Sequence, residues 1–313
     1  KFERYRRLWE QAAKYEILTD YPLHLDIELA GVCNLRCKHC FQNGLIKSPL
    51  GLMDYGLFQK IIDEGARNGL CAVKLQIRGE SFLHPKIFEC IDYAKSSGIM
   101  DVQITTNCTL LDEERVQKIL DSGLDGIILS VDEHHEESFR ERLETYKYSP
   151  VELSIKKFLQ LRNKLGRSKP WVRLQSSIPQ SDTESVRQKK NYIKSKFPEA
   201  DIVVINRIQD FREDVPVYPD LHANYELLPC DYLMHRLAVF WDGEVAICCV
   251  DYNNRFKLGN IKDQKIQKLW LSEKMDKFRA THLAGNRRTM PICKNCHACT
   301  ISLSDRNAVD NTP

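Results

Sequence analysis

Residues 25–42 read LDIELAGVCNLRCKHCFQ, and the cysteines at 33, 37 and 40 constrain this chain more than any other feature. The alternating apolar run from Leu25 to Glu28 predicts a strand that delivers the three thiols onto one loop. Three thiolates so spaced suit three irons of a 4Fe–4S cubane and leave the fourth iron open to another ligand. A zinc site or three buried thiols is the competing reading. Structural zinc takes four ligands, usually as two close pairs, and no fourth cysteine lies nearby.

Beyond this loop, short apolar runs alternate with amphipathic stretches as far as about residue 212, the pattern of an α/β parallel sheet. Strands are expected at Leu25 to Glu28, Ala72 to Ile77, Asp101 to Thr105, Gly126 to Ser130, Val172 to Ser176 and Asp201 to Ile205. Helices are expected at Asp54 to Gly69, Pro85 to Ser97, Asp112 to Ser122, Val151 to Leu165 and Thr183 to Lys196. Ahead of them, residues 1–24 read as a helical extension with Phe2, Tyr5, Leu8, Trp9 and Ala12 on one face, ending at Tyr21-Pro22 and packing across the sheet. In such architectures the chemistry sits at the C-terminal ends of the strands.

Those ends carry recurrent polar motifs. The second strand runs into Arg78-Gly79-Glu80, the third into Thr105-Thr106-Asn107 and the fourth into Ser130-Val131-Asp132. In this order, behind Cys33, Cys37 and Cys40, they resemble the radical S-adenosylmethionine (radical SAM) enzymes. The resemblance implies a partial (β/α)6 barrel over residues 25–222. It also implies that the open iron chelates SAM, and that one electron cleaves the sulfonium to a 5′-deoxyadenosyl radical that abstracts hydrogen from substrate. It assigns Gly79 and Glu80 to the SAM ammonium, Thr106, Asn107, Ser130 and Asp132 to the ribose hydroxyls and carboxylate, and His39 to the adenine. Two positions depart from the family pattern. Arg78 replaces a glycine and either reaches substrate or points outward, and Cys108 stands where glycine usually follows. His134 and His135 read as loop residues and Arg140 and Arg142 as a solvated helix face, whereas Arg173 and Arg207 lie near strand ends as candidate substrate contacts.

Residues 213–229 are rich in proline and polar side chains and read as a linker into a second region, 223–313. There Cys230 precedes a hairpin, Leu237 to Trp241, Asp242-Gly243, and Glu244 to Cys248. Leu258-Gly259-Asn260-Ile261 and a helix from about Ile266 to Ala280 lead on to Cys293, Cys296 and Cys299. This resembles the auxiliary-cluster extension called SPASM in its shortened "twitch" form. It implies one auxiliary 4Fe–4S cluster on Cys230, Cys248, Cys293 and Cys296, with Cys299 in reserve; structural zinc is the alternative. Alternation turns Cys249 away from Cys248. Its thiol is either a hydrogen donor to a carbon radical or a small buried apolar group. Asp251 or Asp231 is the candidate proton acceptor for a dehydrogenation.

The chain has 313 residues, 42% hydrophobic and 28% charged, with a formal charge of +3. That balance argues against nucleic acid or membrane partners, and the absence of an apolar signal core predicts a cytoplasmic protein. Twelve cysteines in a reducing compartment are best explained by cluster ligation. The expected function is hydrogen abstraction from a carbohydrate-like small molecule, giving carbinol dehydrogenation, with a flavodoxin or ferredoxin as reductant. The alternatives are epimerisation through Cys249, modification of a peptide or protein, and a non-enzymatic iron–sulfur carrier or scaffold.

Overall fold

The strand–helix alternation produces a nine-stranded sheet in the computed structural model. It describes the chain except residues 38–39, 43, 45, 132–147, 179–182, 208–228, 295 and 297–313. Six parallel strands come first: β1 (His24–Ile27), β2 (Ala72–Lys74), β3 (Asp101–Thr106), β4 (Gly126–Ser130), β5 (Trp171–Ile178) and β6 (Ile202–Arg207). Between them run α2 (Tyr55–Asn68), α3 (Ile87–Ser96), α4 (Glu113–Asp121), α5 (Tyr148–Lys164) and α6 (Thr183–Lys196), after an N-terminal α1 (Phe2–Ala13). The expected linker, 213–229, lies almost wholly outside the described residues. No helix among the described residues is long and apolar enough to cross a membrane.

Helix boundaries follow local chemistry. The Asp54 carboxylate accepts from the Leu57 amide at the start of α2, and Gly69 ends it with φ of 89°, a left-handed cap that glycine adopts freely. By contrast α1 ends at Ala13, well before Tyr21-Pro22, and Tyr15 turns the chain with φ of 61°. The expected single helix near Ile266 to Ala280 is two, α8 (Ile266–Trp270) and α9 (Glu273–Leu283). Ser272 breaks it because its hydroxyl accepts from the Met275 amide and starts a new helix.

The C-terminal hairpin extends the same sheet. After α7 (Tyr232–His235), β7 (Arg236–Val239) pairs parallel with β1, Leu25 opposite Leu237. Then β8 (Glu244–Ala246) and β9 (Gly259–Asn260) continue it antiparallel, and a short α10 (Pro291–Lys294) follows α9. The strand order is thus β6-β5-β4-β3-β2-β1-β7-β8-β9.

The two faces of the sheet differ in chemistry. Leu25, Ile27, Val73, Val102, Ile104, Ile127, Leu129, Val172, Leu174, Leu237 and Val239 belong to the main apolar core with the helices. Alternation turns the intervening residues to the concave face, and beside the apolar Ile128, Trp171 and Ala238 they include His24, Asp26, Glu28, Lys74, Asp101, Gln103, Ser130, Arg173, Gln175 and Arg236. That face is the wall of the barrel lumen. Its floor, at the strand N-termini, is closed by α1. Tyr5 and Ala12 bury with Leu23, Cys71, Ala72 and Met234, while the Trp9 ring lies 3.8 Å from that of His235.

Candidate active site

The three N-terminal thiols sit on the loop leaving β1, where Cys33 and Cys37 pack half-buried against the main core. Cys40 closes the loop with its amide donating to the Cys37 carbonyl at 3.0 Å. Gln42 ties the loop to the barrel by donating to the Gly31 carbonyl at 2.8 Å and the Arg78 carbonyl at 2.6 Å. Phe41 stacks on Tyr252 with ring centroids 5.1 Å apart, joining the loop to the C-terminal region. His39 lies outside the described residues.

The end of β2 comes very close to this loop. The Glu80 amide donates to the Val32 carbonyl at 3.0 Å. A Cβ on Gly79 would stand 2.2 Å from that carbonyl oxygen and 2.3 Å from the Ala30 oxygen, contacts only glycine avoids. Glu80 itself is buried, and each carboxylate oxygen has a fixed donor. Oε1 accepts from the Phe82 amide (3.1 Å) and the Thr106 hydroxyl (2.8 Å), and Oε2 from the Asn107 amide (2.7 Å). Burial raises its pKa, with the hydrogen bonds from Asn107, Phe82 and Thr106 working against it. Such a carboxylate can receive a ligand ammonium without reorganising.

Asn107 bridges the two motifs, donating to Asn34 Oδ1 at 2.9 Å and toward Cys33 Sγ at 3.8 Å. The next residue, Cys108, is buried and holds φ of 65°. That is the left-handed region glycine prefers, and it gives a backbone reason for the glycine usual at this place. Ser130 closes β4 on the lumen side, paired in register with Gln175. Asp132 lies outside the described residues, as do His134, His135, Arg140 and Arg142.

Arg78 has a job that spacing does not reveal. Its Nε and Nη2 each donate at 2.6 Å to the two oxygens of Glu28, and Nη1 reaches the Ser48 hydroxyl and the Tyr252 carbonyl at 3.0 Å. The guanidinium lies 4.2 Å from the Phe240 ring centroid. Arg78 therefore points neither at solvent nor into an open site; it clamps the barrel to the C-terminal region.

The second cysteine group gathers behind β7 and β8. Cys230 is fixed through its amide to His282 Nδ1 (3.1 Å) and its carbonyl to the Tyr15 hydroxyl (2.6 Å). Cys248 and Cys293 pack on the main core, and Arg287 holds the Cys296 carbonyl at 2.7 Å. A hydrogen bond with Cys249, burial, and the nearby thiols of Cys230 and Cys296 push the Cys248 thiol up; thiols crowded in this way are relieved when cations bind them as thiolates. Cys299 lies outside the described residues.

Cys249 packs with Ile77, Ala238, Phe240 and Ala246, but its thiol is hydrogen-bonded to that of Cys248. Both residues lie beyond the end of β8 at Ala246, so the expected alternation does not turn them apart. Asp251 is buried and commits both carboxylate oxygens to the Arg255 and Phe256 amides, each at 2.8 Å. It caps the loop after β8. Asp231 faces His235 at 3.3 Å.

Among the described residues, no three cysteine, histidine or carboxylate side chains stand close enough to grip one metal ion. The donors that both groups offer are thiols, the ligand type of a cubane, which spreads its thiolates over different irons.

Residues 27–165 match the radical SAM superfamily model, and residues 230–297 match the SPASM iron–sulfur cluster-binding domain. The chain is 24% identical to the tungsten-containing aldehyde ferredoxin oxidoreductase cofactor-modifying protein of Pyrococcus furiosus, over 87% of this chain and 86% of that protein. Among solved structures it resembles BtrN in complex with AdoMet and 2-DOIA, with a TM-score of 0.59 and 17% identity over 89% of this chain and 94% of the other. It also resembles Streptococcus suis SuiB bound to S-adenosylmethionine, with a TM-score of 0.67 and 15% identity over 93% and 75% of the two chains.

Proposed function

We propose, for a chain that is a radical SAM enzyme with a C-terminal SPASM domain, that it abstracts hydrogen from a C–H bond of a small carbohydrate-like substrate held in the barrel lumen. In this reading Cys33, Cys37 and Cys40 ligate the SAM-binding 4Fe–4S cluster, and Cys230, Cys248, Cys293 and Cys296 an auxiliary one. When bound, cluster and SAM supply the 5′-deoxyadenosyl radical. The residues around them orient and shield. Glu80, held by three donors, receives the SAM ammonium; Gly79 admits the ligand edge; Asn107 and Ser130 meet polar groups of the nucleoside. The floor sealed by α1 leaves substrate entry to the strand C-termini.

The carboxylate makes the first test. Glu80→Gln keeps the shape and removes the charge, so SAM binding to the reconstituted protein should weaken by about 10- to 100-fold, about 1.4–2.8 kcal/mol. Calorimetric titration measures it. Unchanged affinity would move the ammonium elsewhere.

Cys249 is the observation that carries the outcome. Its thiol packs by Ile77, Ala238, Phe240 and Ala246, in reach of the lumen-wall charges of Asp26, Lys74 and Arg236 while bonded to the Cys248 thiol, which supports the role of hydrogen donor and hence epimerisation. The substrate carbon loses a hydrogen atom to the 5′-carbon and takes one from the Cys249 thiol on its other face. The sulfur radical then needs one electron and one proton, the electron coming from a flavodoxin- or ferredoxin-like reductant. Dehydrogenation is the second reading, supported by adjacency: Cys248, one residue away, gives an electron leaving the substrate a direct route to the auxiliary site.

Turnover of a panel of hexoses, aminocyclitols, sugar acids and short peptides in D2O separates these readings. Epimerisation puts one deuterium on carbon and is lost in Cys249→Ala with both clusters retained. Dehydrogenation gives a product two mass units lighter without solvent deuterium, and Cys249→Ala still turns over. Turnover of peptides alone would overturn the carbohydrate reading.

A further inference from the structure

Among the described residues, one cation of the lumen wall has no counterion. Arg173 lies on β5, whose alternate residues Val172 and Leu174 are wholly buried in the core, so its guanidinium is directed to the concave face. Among the described residues its one hydrogen bond goes to Gln175 Oε1, at 2.8 Å from Nη2. Its Nε is shielded from solvent and meets no acceptor among them. Burial lowers its pKa.

The neighbouring charges add to the imbalance. On the same face Asp26 is a single carboxylate shared by Lys74 at 3.2 Å and Arg236 at 3.3 Å. Glu28 is fully engaged by Arg78. His24 beside Asp26 is neutral, because burial and then Arg236 push it down to about 4. Arg236 lies over the Tyr232 ring, 4.2 Å from its centroid. Among the described residues the wall therefore sets Lys74, Arg78, Arg173 and Arg236 against Asp26, Glu28 and, at the start of β3, Asp101 beside Gln103, and Arg173 is the cation of the four with no carboxylate in an ion pair. Holding a guanidinium half-buried without an anion is unfavourable, and a bound anion would offset that cost.

We propose that Arg173, oriented by Gln175 and backed by the positive wall of Lys74 and Arg236, binds an oxyanion of the substrate, a carboxylate or a phosphate. The substrate is thus an acidic carbohydrate-like molecule, a sugar acid or a sugar phosphate, and a cationic aminocyclitol is disfavoured. This rests on the lumen being the substrate site, as in the function proposed above, but not on which product forms there. The planar fork of arginine suits both anions, and the two oxygens can each take one N–H.

The test is calorimetric binding of inorganic phosphate and of methylammonium to the SAM-loaded holoenzyme. Wild type should bind phosphate and not methylammonium. Arg173→Gln should bind phosphate at least about tenfold more weakly, about 1.4 kcal/mol, and Arg173→Lys should fall between them because it keeps charge without the fork. Without phosphate, Arg173→Gln should melt at or above the wild-type temperature, since it deletes a half-buried cation with no counterion among the described residues. Equal phosphate affinity in wild type and Arg173→Gln, or methylammonium binding in place of phosphate, overturns the inference. So does a several-degree loss of melting temperature in both variants, which would make Arg173 structural. A failure here leaves the hydrogen-transfer reading standing. Phosphate binding by an enzyme that turns over only peptides sinks that reading and leaves the anion site.

Discussion

Cys33→Ala is expected to abolish SAM cleavage, with 5′-deoxyadenosine formation falling by more than about a thousandfold while the fold persists. The loop that carries Cys33 does not depend on its thiol for shape. Val32 is held by the Glu80 amide, Gly31 by Gln42, and Asn34 by the side chains of Asn107 and Thr109. Losing one of three thiolates leaves two ligands for a cluster that already has one open corner, and such a cluster does not persist. Iron should fall from roughly eight to roughly four per chain, the remainder keeping a 4Fe–4S spectrum from the C-terminal group. Cys108→Ala is the control, since that thiol is buried and faces the Thr106 carbonyl at 3.6 Å; iron content and cleavage should be unchanged. Retained cleavage in Cys33→Ala would remove the assignment of all three cysteines. Loss of iron from both groups would mean that the two sites fold as one.

Arg78→Ala should cost about 3–5 kcal/mol, the range for removing one partner of a buried, hydrogen-bonded ion pair. It strands the Glu28 carboxylate, which is fully buried, and frees the Ser48 hydroxyl and Tyr252 carbonyl that Arg78 now satisfies. For a chain of this size the melting temperature should fall by about 10 °C. The effect should reach the cluster loop, since the Tyr252 ring stacks on Phe41. Arg78→Lys should recover only part, lacking the bidentate fork. The double variant Glu28→Gln/Arg78→Met should be less damaged than Arg78→Ala, because no buried charge is then left alone. If Arg78→Ala melts like wild type, the clamp between barrel and C-terminal region is not where the stability lies.

Much of the fold and part of the site are legible in the amino-acid order because their signals are local. Period-2 alternation against helical period, with Asp54 and Gly69 as caps, marks most of the strand–helix units, and Thr183–Lys196 is a helix over the very span the pattern predicts. The order of Cys33, Gly79-Glu80, Asn107 and Ser130 needs only motif spacing, since consecutive parallel strands bring their C-terminal ends to one rim. Strain at Cys108 also has a local cause, and a family glycine is its only trace.

Chain order does not decide pairings between distant segments. That β7, far along the chain, joins β1 in parallel and makes the hairpin part of the barrel sheet follows from which edge strand is free. Arg78 reads as a possible substrate contact because no local rule links residue 78 to Glu28, Phe240 and Tyr252; only folding buries them together. Asp251 reads as an acid near the site, and only the fold of its loop turns both oxygens onto backbone amides. The sequence by itself determined the cofactor chemistry, because thiol spacing and strand-end motifs are local. Which charges are neutralised is settled only by folding, since a counterion is chosen by proximity across the barrel; position near a strand end marks Arg173 and Arg207 alike as candidate substrate contacts, and the lack of an ion-pair partner among the described residues is a property of Arg173 in the fold.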